Sequence, residues 1–232
     1  MAYSNLTVNV PDIKKVYRDY NKPHIKEQNA ELIRSIDRKY SSMISKWGNV
    51  FQIQDGVLIA FIATESGGQA SVSNFCCVGL MQVSPPAVLE SATKFQQITK
   101  NSLPFEVEQA LNRVIPNFLS LKTLSAANAA KIKQKLFDPE FNIMCGTMLL
   151  RWLLERFSTI LTGAQLNKAI IAYNAGAYRK ELNRGAANPI KIPVDTATYV
   201  NLKSIPFETR TYLVKMLGVD GFLYLIYKDK AI

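Results

Sequence analysis

At 232 residues, 48% hydrophobic and 20% charged, with 11 Gly and 10 Pro, the chain has a globular composition that excludes a disordered tail, a collagen-like fibre and a low-complexity scaffold. One His and three Cys exclude a multi-His metal site and a disulfide scaffold, and leave a His-based triad possible only through His24. The net charge of +10 sits at the two ends: nine basic against five acidic residues in 1–50, seven against seven in 51–150, twelve against six in 151–232.

Such a balance favours a polyanionic partner, whether nucleic acid, anionic lipid or a bacterial wall with acidic polymers, or is simply a solvated basic surface. Cys76, Cys77 and Cys145 read as buried free thiols, because sequence neighbours rarely pair with each other. The first residues show no charged segment followed by a long apolar one, so no secretory signal is expected. The longest apolar run, Val57 to Ala63, is too short to span a bilayer.

Residues 1–23, punctuated by Pro11 and Pro23, read as an irregular arm. Ile25, Leu32, Ile33, Ile36, Tyr40, Met43, Ile44 and Trp47 have the spacing of an amphipathic helix that Gly48 should stop. Gln52 to Thr64 is apolar on nearly all sides. It suits a buried strand or a buried helix, and its length and the Gly67-Gly68 stop favour a central helix.

Residues 67–78 form a Gly/Ser/Asn-rich loop, and Pro85-Pro86 opens a helix to about Thr93. The segment 94–135 is polar-helical, broken at Pro104 and Pro116, and Phe137-Asp138-Pro139 is a turn. Helices are expected over Phe141–Phe157 and Leu166–Tyr173, the latter ending near Gly176. After a loop over 179–205, Pro206 suits the first position of a last helix to about Leu217.

Glu65 stands out on physical grounds. It follows the most apolar segment of the chain, at the C-terminal end of the expected helix. Burial and the negative end of the helix dipole both favour a protonated carboxyl near neutral pH, as a general acid in glycoside cleavage requires. The plainer alternative is a helix-end Glu in water or paired with a base.

The surroundings of Glu65 carry more. Glu65-Ser66 is followed, fourteen residues after the Glu, by Gly79-Leu80-Met81-Gln82. Then come Asn142-Ile143 with Gly146, Ala172-Tyr173-Asn174-Ala175-Gly176, and Glu208-Thr209-Arg210 with Tyr212. These five ordered blocks resemble the soluble lytic transglycosylase family, relatives of goose-type lysozyme.

The resemblance implies a mainly α, lysozyme-like fold, α+β with at most a minimal sheet. It implies a single catalytic domain over 49–232, with an N-terminal arm and helix in 1–48 and a helical insertion around 94–135 that could wall or lengthen the groove. It implies Glu65 as the catalytic acid/base and Ser73, Met81, Gln82, Tyr173, Asn174 and Glu208 as substrate-binding, with the Tyr173 hydroxyl near the catalytic carboxyl. No metal and no cofactor are required.

Each residue has a plainer role beside this one. Ser73 could cap a turn, Leu80 and Met81 could be core, Asn174 could hold a helix end, and Glu208 is a favourable acid in a first helical turn. The sequence also departs from the family. The spacing from Glu65 to Gly79 is one residue shorter, Ser84 stands where relatives usually carry Met, and Cys76-Cys77-Val78 replaces a segment of small residues.

The function this implies is a peptidoglycan lytic transglycosylase that cuts the bond between N-acetylmuramic acid and N-acetylglucosamine and leaves 1,6-anhydro ends. The expected setting is a phage virion acting on the bacterial periplasm and wall. The partners are glycan strands and other virion or secretion-machine proteins, with no specific nucleic acid. A water-using muramidase and a catalytically silent wall-binding component are the alternatives.

Overall fold

The computed structural model describes residues 23–74, 76–157, 164–176, 207–218 and 220–232. Of the expected arm over 1–23, residues 1–22 lie outside the described residues, as do the loop over 179–205 and the placement of Pro206, whereas Pro23 already opens the first helix.

The helix α1 spans Pro23–Phe51 and α2 spans Asp55–Ser66. Gly48 was expected to stop α1, yet the helix runs three residues past it. The stop is Gln52, in the left-handed region at φ 57. Gly48 serves close approach instead: a Cβ there would lie 2.8 Å from both Asp55 Oδ1 and Ile53 O. The expected stripe is real, with Ile33, Ile36, Tyr40, Ile44, Trp47 and Phe51 buried on one face of α1.

That stripe packs on α2, whose segment Val57–Ala63 is buried on all sides. Each Val, Leu, Ile or Phe side chain in it contributes roughly 1.5–3 kcal/mol by leaving water. An all-round apolar helix needs neighbours on every side. Here α1 flanks it together with α9, Phe207–Leu217, and α10, Phe222–Tyr227. Gly67, at φ 59, closes α2 in the left-handed conformation common at helix C-termini.

The remaining helices follow from local signals. In α3, Pro85–Thr93, Ser84 is the N-cap, its Oγ accepting from Ala87 N at 3.3 Å. The departure at Ser84 therefore has a structural use. In α7, Pro139–Arg156, Asp138 caps through Phe141 N at 3.0 Å with Pro139 in the first turn. The expected turn is present at Phe137-Asp138 and leads directly into the helix at Pro139. Arg151 of α7, buried, donates to Phe51 O at 2.8 Å and ties α7 to the end of α1.

The segment 94–135, expected as a helical pair, holds three α-helices: α4 (Phe95–Thr99), α5 (Phe105–Val114) and α6 (Ala126–Lys135), with a 3-10 turn at Phe118–Ser120. Next after α7 comes α8, Ala164–Ala175. The architecture is mainly helical, as expected. Among the described residues the β structure is confined to isolated bridges, among them Ser73 with Val78 and Val78 with Val83.

Candidate active site

Glu65 lies in the last turn of α2, partly buried. Burial pushes its carboxyl from the ordinary carboxylate range up to about 7. Three residues of one α9 face act on it. Tyr212 donates a hydrogen bond to Glu65 Oε1 at 2.6 Å and stabilises the ionised form. The Lys215 charge does the same, and the Glu208 charge opposes ionisation. Glu208, Tyr212 and Lys215 are spaced i, i+4, i+7, so one side of α9 faces the acid.

Beside the acid, residues 78–83 form a tight turn fixed from three directions. Ser66 Oγ donates to Leu80 O at 2.8 Å, joining the end of α2 to the turn. Tyr173 Oη, from α8, donates to Met81 O at 2.8 Å. The fully buried Asn142 of α7 accepts from Met81 N at 2.8 Å and donates to Val78 O at 2.7 Å and Leu136 O at 2.8 Å.

This interlock explains the residue types. Gly79 has φ +77, and a Cβ there would lie 2.3 Å from Asn142 Nδ2. At Gly146 a Cβ would lie 2.4 Å from Met81 Sδ. Blocks far apart in sequence are therefore the two sides of single contacts.

The expected contact residues are dispersed in exposure. Ser73 is exposed and its Oγ donates to Asn74 O at 3.3 Å. The Met81 side chain is fully buried against Gly146, so as it stands it offers no surface to a ligand, contrary to the expected contact; packing on α7 is the reason. Gln82, at φ 45, donates through Nε2 to Val72 O at 3.0 Å and Gly79 O at 2.8 Å, bonds that hold the loop. Glu208 is exposed in the first turn of α9.

Tyr173 was expected near the catalytic carboxyl, and the Glu65 charge does reach its hydroxyl, which burial keeps firmly protonated. Its hydrogen bond, however, goes to the turn. Its ring packs edge-on against Phe61 of α2, with centroids 4.8 Å apart. Tyr173 and Asn174 line a cavity of about 580 Å³ with Ser84, Glu90 and Trp152. A second cavity, of about 790 Å³, lies between α1, α5, α6 and α7, and Glu65 does not line either one.

The residue missed by sequence reasoning is Tyr212. It stood in the last motif, and its i, i+4 relation to Glu208 was the available signal. Lys215, whose charge also bears on Glu65, carried no motif, nor did Cys77, whose thiol feels the Glu65 charge. Among the described residues no group of three His, Cys, Asp or Glu could hold a metal ion.

Residues 119–191 match the family model of the transglycosylase SLT domain. The match includes Asn142, Gly146 and the Tyr173-Asn174 block, begins inside the segment 94–135, and leaves Glu65 and α9 outside. In three dimensions the chain resembles the 70 kDa soluble lytic transglycosylase of Escherichia coli, with TM-score 0.50 and 23% identity over 83% of this chain and 25% of that one. The complex of the 70 kDa soluble lytic transglycosylase with bulgecin A gives TM-score 0.52 and 23% identity over 86% of this chain and 26% of that one.

The fold is that of a soluble lytic transglycosylase.

This chain spans about a quarter of the length of those two structures. No curated protein matches the chain in sequence. Within the transglycosylase fold, the Asn142 to Gly79 and Gly146 to Met81 contacts join the portion matched by the family model to the turn beside Glu65.

Proposed function

We propose that the protein is a peptidoglycan lytic transglycosylase that cuts the β-1,4 bond between N-acetylmuramic acid and N-acetylglucosamine. The observation that carries this reading is Glu65: a carboxyl raised to about 7 by burial and held by the Tyr212 hydroxyl.

Such a group is protonated through much of the neutral range and can deliver its proton to the glycosidic oxygen. The C1–O bond then breaks with positive charge at the anomeric carbon. Glu65, now a carboxylate, takes the proton of the sugar's own 6-hydroxyl, and that oxygen closes on C1. The anhydro ring forms because the nucleophile is already tethered, so high effective molarity replaces an activated water. Tyr212 steadies Glu65 in its ionised half of the cycle. Ser73, Gln82, Tyr173, Asn174 and Glu208 are the residues we assign to the sugar strand, and the buried Met81 anchors the turn without touching the strand.

A water-using muramidase is the second reading, and Glu208 is the observation that favours it, since its charge reaches Glu65. A second carboxylate would there activate water. Digestion of purified peptidoglycan separates the two, because an anhydro end is lighter than a reducing end by one water. Anhydro muropeptides, lost in Glu65→Gln by at least about 100-fold, are the expected result. Reducing ends, or undiminished turnover in Glu65→Gln, overturn it.

The net charge of +10 suits the anionic polymers of a bacterial wall. We place the enzyme in a phage virion that opens the wall during entry. Mass spectrometry of purified particles should find the chain, and its absence from them overturns this setting.

A further inference from the structure

The loop between Glu65 and the 78–83 turn carries Cys76 and Cys77, whose Sγ atoms lie 2.9 Å apart. Cys76 is exposed and Cys77 half-buried, against the expectation of buried thiols, which holds for Cys145 alone. The pair is held in register by Asn74, whose Oδ1 accepts from Cys76 N at 3.1 Å and Cys77 N at 2.8 Å, while Asn74 N donates to Cys77 O at 3.0 Å. Cys77 lies close enough to Glu65 and to Lys133 of α6 to feel both charges.

We infer that Cys76 and Cys77 form a reversible redox site, closing to a vicinal disulfide with a small-molecule disulfide as oxidant and thereby stiffening the loop beside Glu65. The sulfurs need to approach by less than about 1 Å to reach the bonded distance of about 2.05 Å. Adjacent Cα atoms sit about 3.8 Å apart, short of the usual roughly 4.4–6.8 Å span of a disulfide. A ring closed under that strain is readily reduced again, as regulatory disulfides are.

Burial and the adjoining Cys76 sulfur push the Cys77 thiol up to about 12, so Cys77 keeps its proton and exposed Cys76 meets the oxidant first. The Cys76 thiolate attacks one sulfur of RSSR, the RS–SR bond breaks, and one RS⁻ leaves with the proton that Cys76 gave up. The Cys77 sulfur then attacks Cys76 Sγ, the S–SR bond breaks, and the second thiol departs with the Cys77 proton. Two protein thiols are oxidised and one RSSR is reduced to two RSH.

The effect on turnover rests on the lytic reading of Glu65, whereas the assignment of the dithiol does not. The test incubates the reduced full chain with oxidised glutathione, alkylates the remaining thiols, and maps them by mass. The expected product has lost two hydrogens, with Cys76 and Cys77 protected from alkylation and Cys145 alkylated only after unfolding. Peptidoglycan turnover falls about tenfold, a loss of the size that a small misplacement near the chemistry causes, and dithiothreitol restores it. Cys76→Ser keeps the reduced turnover and ignores the oxidant.

Glutathione retained on Cys76 without ring closure overturns the inference, and so does a ring that leaves turnover unchanged. A reduced chain inactive on peptidoglycan sinks the lytic reading alone, and the dithiol assignment then stands or falls on the masses.

Discussion

Tyr212 reaches across 147 residues of sequence to donate a 2.6 Å hydrogen bond to Glu65 Oε1. The bond stabilises the carboxylate and so opposes the burial that keeps the proton on. Tyr212→Phe removes this support, so the Glu65 proton should be released at higher pH than in the parent chain. The maximal rate should drop about tenfold, because the carboxylate half of the cycle loses a charge-assisted bond. A pH profile of kcat/KM for muropeptide release checks the direction, and a profile moved to lower pH would count against it.

Glu208 and Lys215 should move that profile in opposite senses. Activity needs protonated Glu65 in the first step and is lost as pH rises through about 7. Glu208→Gln removes a like charge, so the alkaline limb shifts to lower pH. Lys215→Met removes an opposite charge, so the limb shifts to higher pH. Near-abolition of turnover in Glu208→Gln would instead identify Glu208 as the base of a hydrolase.

Glu65→Gln should be more stable than the parent at alkaline pH. The folded chain holds the Glu65 proton up to about 7, whereas the unfolded chain releases it near the ordinary carboxyl value of about 4.5. Below the lower value the two chains should match. As pH rises between them the parent loses ground, reaching about 3 kcal/mol above the upper value. Chemical denaturation at pH 4 and pH 8 measures the difference, and an equal gap at both would contradict the buried acid.

Gly79→Ala should cost about 3 kcal/mol or more. The added methyl meets Asn142 Nδ2 and the Leu136 carbonyl at a backbone angle of φ +77. A urea unfolding midpoint reads the loss directly. Turnover should fall with it, because the turn beside Glu65 must move.

Much of this arrangement was legible in the sequence. The α1 stripe and the apolar run of α2 declared themselves by period and length. Glu65 drew notice by its place after that run, and the ordered motif blocks around it made it the candidate acid. The pairing of Gly79 with Asn142 and of Gly146 with Met81 was not legible, because periodicity describes one element at a time and these contacts join two. Gly48 was misjudged for the same reason: its missing side chain serves Ile53 and Asp55, not the end of α1. The α10 helix went unnoticed because six residues are too few to display a period.

The face of α9 that tunes Glu65 is translated long after the acid itself. A ribosome-bound or proteolysed chain ending before Glu208 therefore lacks Tyr212, Lys215 and the α9 packing around α2, and its Glu65 faces more water. Its carboxyl reverts toward that of an ordinary surface glutamate and cannot serve as an acid at neutral pH. The surroundings that raise the Glu65 carboxyl are therefore complete only once the chain has passed α9.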